Sequence, residues 1–319
     1  MPKGIYADVF ESGSVIGNVT RKAAEDTGFC EGTLVVTGGA DTQMALVGVG
    51  AVKPMMYTVC AGTFWQTTVV ADKPLFDKEF RPRSLCHAVP GQWMTEGIGF
   101  YHGFTMRWFR DGFCQDEKRK AAELKTDAYS LMEELASQVP AGSNGVQGIF
   151  ANVMDAKRWV HAVPSFVGFD LLAPEKTGKA ACIRAIEENA AYVTRGHMDV
   201  LIECTGKKPE EIIFAGGSSK GFLWPQIVAD VLGVSVKVPD VKEATSLGSA
   251  VCGMIALGEV KDWSQGVDRV VHWDKRFEPD AKIHAIYNEK YQLWKGVYQE
   301  MMPMAEKRLL TPLFWAPGA

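Results

Sequence analysis

The sequence lacks any apolar run long enough to cross a lipid bilayer. No stretch of about 18 or more apolar residues occurs, whereas a membrane-spanning helix needs roughly 20. The first residues, MPKGIYADVFESGSVIG, also lack the basic segment and apolar core of a secretory signal peptide. We therefore expect a cytoplasmic protein with no membrane partner.

Basic charge and paired cysteines are also scarce. The 34 Lys and Arg residues are outnumbered by 38 Asp and Glu residues, which gives a net charge of −4. Nucleic-acid-binding proteins usually carry a basic surplus, so we expect no nucleic-acid partner. The seven cysteines form neither a CxxC pair nor a metal-ligand spacing. This pattern indicates reduced thiols and predicts no metal site built from protein ligands.

Several catalytic signatures are missing as well. HExxH, GxSxG, the Walker A lysine motif and the HRD–DFG pair do not occur. Their absence argues against a zinc metalloprotease, an α/β-hydrolase, a P-loop nucleotidase and a protein kinase. The glycine turns present do not read GxGxxG, so a Rossmann dinucleotide site is not supported.

Strand-like and helix-like segments alternate along the chain. Short β-branched runs are separated by amphipathic stretches, which predicts an α/β fold, and 319 residues fit about two domains. Gly28 is predicted to end a first helix. The predicted strands are 34–37, 55–70 with a break at 61–63, 84–98 around a Pro90-Gly91 turn, 212–214 and 234–238. The predicted helices are 43–49, 117–137, 179–203, 221–232, 243–257 and 280–307.

Asp41 stands out because it directly follows strand 34–37, which we expect to be buried, and the pair Gly38-Gly39. An aspartate in that place would lie at the carboxyl edge of a sheet, where α/β proteins bind ligands. The alternative is a plain helix N-cap, a common role for aspartate. The sequence leaves both interpretations open.

The segment Ala61-Gly62-Thr63 separates two predicted strands. Glycine lets a backbone approach a ligand closely, and adjacent N–H groups with the Thr63 hydroxyl could cradle a phosphate oxygen. An ordinary hairpin turn explains the same residues equally simply.

Two further glycine-rich turns join strands to helices. Phe214-Ala215-Gly216-Gly217-Ser218-Ser219 follows an apolar strand, and paired glycines there would let an adenine or a phosphate lie against the backbone. The segment 97–103, GIGFYHG, offers a similar close approach before a helix. Each could also be only a tight connection between elements.

Taken together in this order and spacing, the motifs resemble the FGGY carbohydrate kinase family. The similarity rests on GGADTQ with Asp41, AGT at 61–63, GIGFYHGFTMRWFRD at 97–111, AGGSSKGFLWPQIVADVLG at 215–233 and EATSLGSAVCGMIALG at 243–258. It covers about residues 10–305. The resemblance implies an actin-like ATPase fold, related to ribonuclease H, and a kinase that uses ATP and Mg²⁺. The segments GGADTQ and AGTFWQTTVV look most like the corresponding segments of family members that phosphorylate the quorum-sensing signal derived from dihydroxypentanedione.

The resemblance also assigns roles to particular residues. Asp41 matches the catalytic base that takes a proton from the substrate hydroxyl. The remaining matches concern the nucleotide and its phosphates. They are Gly62 and Thr63 in a phosphate-binding hairpin, Gly103 as a nucleotide-contacting glycine, Arg107 as a polar neighbour of the nucleotide, and Gly216, Gly217, Ser218 and Lys220 in the adenosine motif.

One departure from the family pattern sets the expected domain organisation. Family members begin with a first actin-like domain that carries a DxGT phosphate loop, but GGADTQ here lies only about 40 residues from Met1. Relative to the family pattern, roughly two hundred residues are therefore missing, which is the size of a domain. We expect 1–52 to be the tail of the first domain and 53–319 the complete second domain.

The function therefore has more than one interpretation. An active kinase for a small hydroxylated carbonyl compound competes with a non-catalytic remnant and with a regulatory nucleotide-binding module. Through the family resemblance, the expected partners are a small-molecule substrate and a sugar-phosphotransferase carrier protein. The apolar segments LVVT and 44–49, which the rest of the first domain should cover in the family, would also favour homo-oligomers when that cover is missing.

Overall fold

The structure is a computed structural model that describes residue 4 and residues 7–150 and 160–314. The outer ends of the expected domains, residues 1 and 319, lie outside the described residues. The strands are β1 Val15–Asn18, β2 Leu34–Val36, β3 Tyr57–Ala61, β4 Trp65–Ala71, β5 Arg83–Cys86, β6 Trp93–Phe100, β7 Gln147–Ile149, β8 Ser165–Val167, β9 Glu211–Ala215, β10 Ser235–Pro239 and β11 Trp273–Phe277. The helices are α1 Arg21–Thr27, α2 Asp41–Gly48, α3 His102–Phe113, α4 Gln115–Leu124, α5 Ala128–Ser137, α6 Lys179–Thr205, α7 Leu223–Leu232, α8 Ala244–Ala256, α9 Trp263–Val270 and α10 Ala281–Glu306.

A seven-stranded mixed sheet organises the molecule. Its strand order is β11-β10-β9-β3-β4-β6-β5, with β9 parallel to both β10 and β3 and the other pairs antiparallel. Strands β1 and β2 pair with each other in a separate small sheet, as do β7 and β8. The parallel core strands β3 and β9 end side by side, at Ala61 and Ala215. These two ends define the sheet edge at which a ligand site is expected.

Helices cover both faces of this sheet because side chains alternate along each strand. In β9, Ile212 and Phe214 join the core packed under α6, α7 and α10. Their neighbours Ile213 and Ala215 point to the opposite face and pack with Leu46 of α2. This layered mixed arrangement confirms the α/β fold predicted from the sequence. None of the described helices is both long enough and apolar enough to cross a membrane.

The predicted helix over 117–137 is wrong as a single element. It consists of α4 and α5, because Lys125 adopts the left-handed conformation with φ 53° and ends α4. The Asp127 side chain then accepts a hydrogen bond from Tyr129 N at 3.0 Å and caps α5. The sequence pattern did not predict helix α9 or the strands β1, β7, β8 and β11.

The N-terminal region corrects two expectations. Strand β2 is exposed rather than buried, with Leu34 at 41% exposure, because it pairs with β1 outside the main sheet. The segment 44–49 is buried rather than exposed, because α2 packs directly against α8. Helices can approach that closely where glycines face each other: a Cβ on Gly48 would lie 1.9 Å from the Ala244 carbonyl oxygen.

Candidate active site

A cleft of about 800 Å³ opens at the carboxyl ends of β3 and β9. Its walls come from the β3–β4 turn, helix α3, helix α5, helix α6 and the segment between β9 and α7. Seven of the nine site residues predicted from the sequence line it, and they are Gly62, Thr63, Gly103, Arg107, Gly217, Ser218 and Lys220. The structure therefore brings together motifs that are about 150 residues apart in sequence.

The β3–β4 turn is a tight hairpin at the mouth of the cleft. Gly62 N donates to Phe64 O at 3.0 Å, and Thr63 is exposed at the tip. Gly103 of α3 packs against this turn so closely that a Cβ there would lie 2.1 Å from Gly62 O. Only glycine fits that contact, so Gly103 fixes the position of the hairpin relative to α3.

The second glycine turn follows β9. Gly216 has φ +110° and ψ −171°, a conformation open essentially to glycine alone. A Cβ on Gly216 would lie 2.6 Å from Ala61 O at the end of β3, whereas a Cβ on Gly217 would meet no atom within 4 Å. Gly216 does not line the cleft; it holds the two strand ends together, and Gly217 presents open backbone to the cleft.

Two cations face the cleft. The Arg107 side chain is exposed, and its guanidinium carbon lies 4.9 Å from the centre of the Phe104 ring. Lys220 is also exposed, and its carbonyl accepts a hydrogen bond from Lys275 Nζ at 2.9 Å. These two cations and the glycine backbone suit an anion such as a polyphosphate. The same cleft is also lined by the carboxyl side chains of Asp127, Glu133, Glu187 and Glu243.

Asp41 does not line this cleft but lies beside it. It is the first residue of α2, follows a strand outside the main sheet, and is exposed. Its carbonyl accepts from the Thr245 hydroxyl at 3.3 Å, two residues beyond Glu243, which lines the cleft. The N-cap position of α2 belongs to Ala40, so Asp41 is not the N-cap itself, but its Oδ1 accepts a hydrogen bond from Thr42 N at 2.7 Å and so binds a backbone N–H of the first turn.

A buried carboxyl near Asp41 was missed by the sequence reasoning. Glu96 in β6 has no exposed side-chain surface and accepts a hydrogen bond from Arg83 Nε at 2.6 Å. Burial raises the pKa of Glu96, Arg83 lowers that pKa, and the nearby Asp41 charge raises it. The available signal was a charged residue inside the apolar strand WMTEGIGF.

Two further carboxyls in the cleft wall were also missed. Glu133 of α5 accepts backbone hydrogen bonds from Phe222 N at 2.9 Å and Leu223 N at 2.7 Å, which caps α7. Glu187 of α6 is buried and lines the cleft beside it. In the described part of the chain, no group of three or more His, Cys, Asp and Glu side chains could hold a metal ion.

Known proteins share both sequence and fold with this chain. Residues 58–257 match the FGGY family of carbohydrate kinases, C-terminal domain. A relative from Salmonella paratyphi A (strain ATCC 9150 / SARB42), named autoinducer-2 kinase, is 42% identical over 98% of this chain and 59% of its own length. The xylulose kinase from Rhodospirillum rubrum superposes with a TM-score of 0.78 at 23% identity, over 93% of this chain and 58% of that one. Plasmodium falciparum glycerol kinase with ADP superposes with a TM-score of 0.72 at 16% identity, over 91% and 55%.

The mixed sheet with helices on both faces, and a cleft at its carboxyl edge, place the chain in the actin-like ATPase fold of the sugar kinases. The chain belongs to the FGGY family of carbohydrate kinases. It spans 59% of the length of the Salmonella relative.

Proposed function

We propose that this chain provides the nucleotide-binding part of an ATP-dependent phosphotransferase that acts on a hydroxyl group of a small sugar-like molecule. The observation that carries the proposal is the convergence of the Gly62-Thr63 hairpin and the Gly217 backbone in one cleft with the cations Arg107 and Lys220. Glycine backbone can approach a polyphosphate closely, and the two cations balance its charge.

The finer proposal concerns the substrate. The Salmonella relative is named autoinducer-2 kinase, and it is similar to this chain over 98% of the residues. We therefore assign the same signal, derived from dihydroxypentanedione, as the substrate. This assignment rests on similarity in sequence, because the cleft described above is the nucleotide side of the reaction.

The chemistry assigned to the residues is positioning and charge stabilisation, which dominate phosphoryl transfer. The Gly62-Thr63 hairpin holds the transferred phosphate, and Arg107 and Lys220 stabilise negative charge on its oxygens. Asp41, exposed at the start of α2, accepts the proton of the attacking hydroxyl. Mg²⁺ bound to the nucleotide would neutralise phosphate charge, and the exposed carboxylates Asp41 and Glu243 beside the cleft fit its preference for oxygen ligands.

The test is nucleotide binding by the 319-residue chain, measured by calorimetry with ADP. Gly217→Val fills open space in the cleft and should weaken ADP binding at least about tenfold. The matched control is Gly296→Val in α10, an exposed glycine with no atom within 4 Å of its Cβ position. Equal ADP affinity in the Gly217 variant and the unaltered chain would contradict the proposal.

A second candidate is a nucleotide-binding protein without turnover, favoured because Asp41 does not line the cleft. In that case the chain alone transfers negligible phosphate, because in-line transfer needs the nucleotide and the substrate held from both sides. Adding the first domain of that relative, fused or in trans, should give turnover. Asp41→Asn in the resulting enzyme should then lower turnover about 10²–10⁴-fold. Ordinary kinase rates from the chain alone, unchanged by Asp41→Asn, would contradict both the second candidate and the base assignment.

A further inference from the structure

The innermost wall of the cleft carries two buried polar groups that have no hydrogen-bond partner within residues 4, 7–150 and 160–314. They are Oε2 of Glu187, on a residue that is 3% exposed, and Nε1 of Trp224, on a residue that is 6% exposed. Both residues line the cleft. Leaving a buried polar atom unpaired costs about 1–3 kcal/mol, so such a group calls for an explanation.

Apolar side chains form part of the wall around these two groups. Met106, Met132 and Ile183 line the same cleft, and the Trp224 ring stacks on Trp65 with ring centroids 5.3 Å apart. An apolar wall that carries a few polar groups is a usual form of a site for a flat heterocycle. The hairpin Gly62-Thr63 is then free to bind the phosphate groups at the other end of the same ligand.

We propose that Glu187 and Trp224 read the base of a bound adenine nucleotide, the carboxyl group and the indole N–H each donating a hydrogen bond to a ring nitrogen. This inference rests on the proposed nucleotide function and adds the base-recognition residues to it. Adenine offers ring nitrogens only as acceptors, together with an amino group that can donate to the second carboxyl oxygen.

An acid must keep its proton to act as a donor, and the environment of Glu187 favours this. Burial raises the pKa of Glu187 well above its ordinary value, the charges of Glu133 on α5 and Glu188 on α6 raise it further, and Arg184 on α6 lowers it. A carboxyl group kept neutral by an apolar site can donate a hydrogen bond at neutral pH. The other charged or titratable groups that line the cleft are Arg107, Asp127, Tyr129, Lys220 and Glu243.

The experiment compares ADP and inorganic pyrophosphate as ligands of the full chain. Glu187→Leu should weaken ADP binding about tenfold and leave pyrophosphate binding unchanged. A tenfold loss corresponds to the upper end of the free energy that one hydrogen bond contributes. The unfolding temperature of Glu187→Leu should be equal or higher, because the substitution removes an unpaired buried carboxyl. Glu187→Gln keeps a neutral donor and should bind ADP within about threefold of the unaltered chain. Trp224→Phe removes only the indole donor and should also weaken ADP but not pyrophosphate.

A pH series adds a readout that a purely structural role would not change. ADP affinity of the unaltered chain should fall as pH rises through the pKa of Glu187, and that fall should be absent in Glu187→Gln. The matched control is Glu134→Gln, an exposed glutamate on α5.

The outcomes separate this inference from the proposed function. Unchanged ADP affinity in both Glu187→Leu and Trp224→Phe, or equal losses of ADP and pyrophosphate affinity, would overturn the base-reading role alone. Failure of the unaltered chain to bind ADP would overturn the proposed function and this inference with it.

Discussion

At the scale of single residues, the contact between Glu96 and Arg83 joins a fully buried carboxyl to a half-exposed guanidinium. The Nε–Oε1 distance is 2.6 Å, and the side chains are 0% and 47% exposed. Glu96 Oε2 has no hydrogen-bond partner within the described residues. The carboxyl therefore depends on Arg83 for the compensation of its charge.

Removing the cation should make stability depend more strongly on pH. Arg83→Met should lower the free energy of unfolding at neutral pH by about 1–2 kcal/mol, since water replaces part of a half-exposed partner. The pKa of Glu96 is already raised by burial. Below the raised pKa of Glu96 in the folded protein, the carboxyl is neutral in both folded proteins and the loss should vanish. As pH rises through that pKa, Glu96 ionises beside Arg83 in the unaltered protein but stays protonated to higher pH in Arg83→Met, so the loss should grow.

Denaturant unfolding at several pH values measures this effect. The control is the double variant Arg83→Met with Glu96→Gln, in which no charge remains to be buried and the extra pH dependence should disappear. A pH-independent loss in Arg83→Met would show that packing, not charge, is the contribution of Arg83.

At the scale of elements, the crossing of α2 and α8 is formed by a reciprocal glycine contact. A Cβ on Gly48 would lie 1.9 Å from Ala244 O, and a Cβ on Gly248 would lie 1.9 Å from Met44 O. The backbones touch, and this contact places Asp41 at the start of α2 beside the cleft. The hydrogen bond from Gln43 Nε2 to Cys86 O, at 2.6 Å, ties the same helix end to β5.

Alanine usually stabilises a helix relative to glycine, but at this crossing alanine should destabilise the protein. Gly248→Ala should lower the free energy of unfolding by about 2–3 kcal/mol, because the added methyl group must push the helices apart. Gly253→Ala lies on the same helix with no atom within 4 Å of its Cβ position. There the better helix propensity of alanine should stabilise the protein by up to about 1 kcal/mol. Thermal unfolding of the two variants, measured side by side, checks the contact; stabilisation by Gly248→Ala would contradict it.

Most elements could be predicted from the sequence because their signals are local. The break at Gly62 and the helix end at Gly28 follow from glycine chemistry at one position. The break at Lys125 could not, because a lysine in the left-handed conformation has no sequence signature. The burial of α2 and the exposure of β2 depend on contacts between elements distant in sequence. The cleft wall from α5 and α6 was missed for the same reason, because Glu133 sits in an amphipathic helix and Glu187 in a helix whose burial along most of its length depends on distant contacts.

At the scale of the whole molecule, the β1–β2 sheet is the part least covered by the rest. Its exposed apolar residues are Val15, Ile16, Leu34 and Val35, with Val9, Phe10 and Phe29 beside them in sequence. In the described part of the chain, the sheet has two strands only, so each strand leaves an edge without a partner strand. Apolar side chains next to open strand edges promote association between copies.

We expect the chain to self-associate as its concentration rises. Light scattering should show a mass that increases with concentration, and Ile16→Lys with Val35→Lys should restore a monomer. The matched control is Leu171→Lys with Leu172→Lys, a pair that is 87% and 96% exposed outside helices and strands. That pair should leave the association unchanged. A monodisperse monomer at high concentration would count against the expectation.

The glycine contacts around the Gly62-Thr63 hairpin have a mechanical consequence. Gly103 presses on the carbonyl of Gly62 from one side, and Gly216 presses on the carbonyl of Ala61 from the other. With no free space at either contact, the hairpin, the start of α3 and the exit of β9 form one stiff block. Any movement that opens or closes the cleft must carry this block as a unit, so the hinge has to lie outside it.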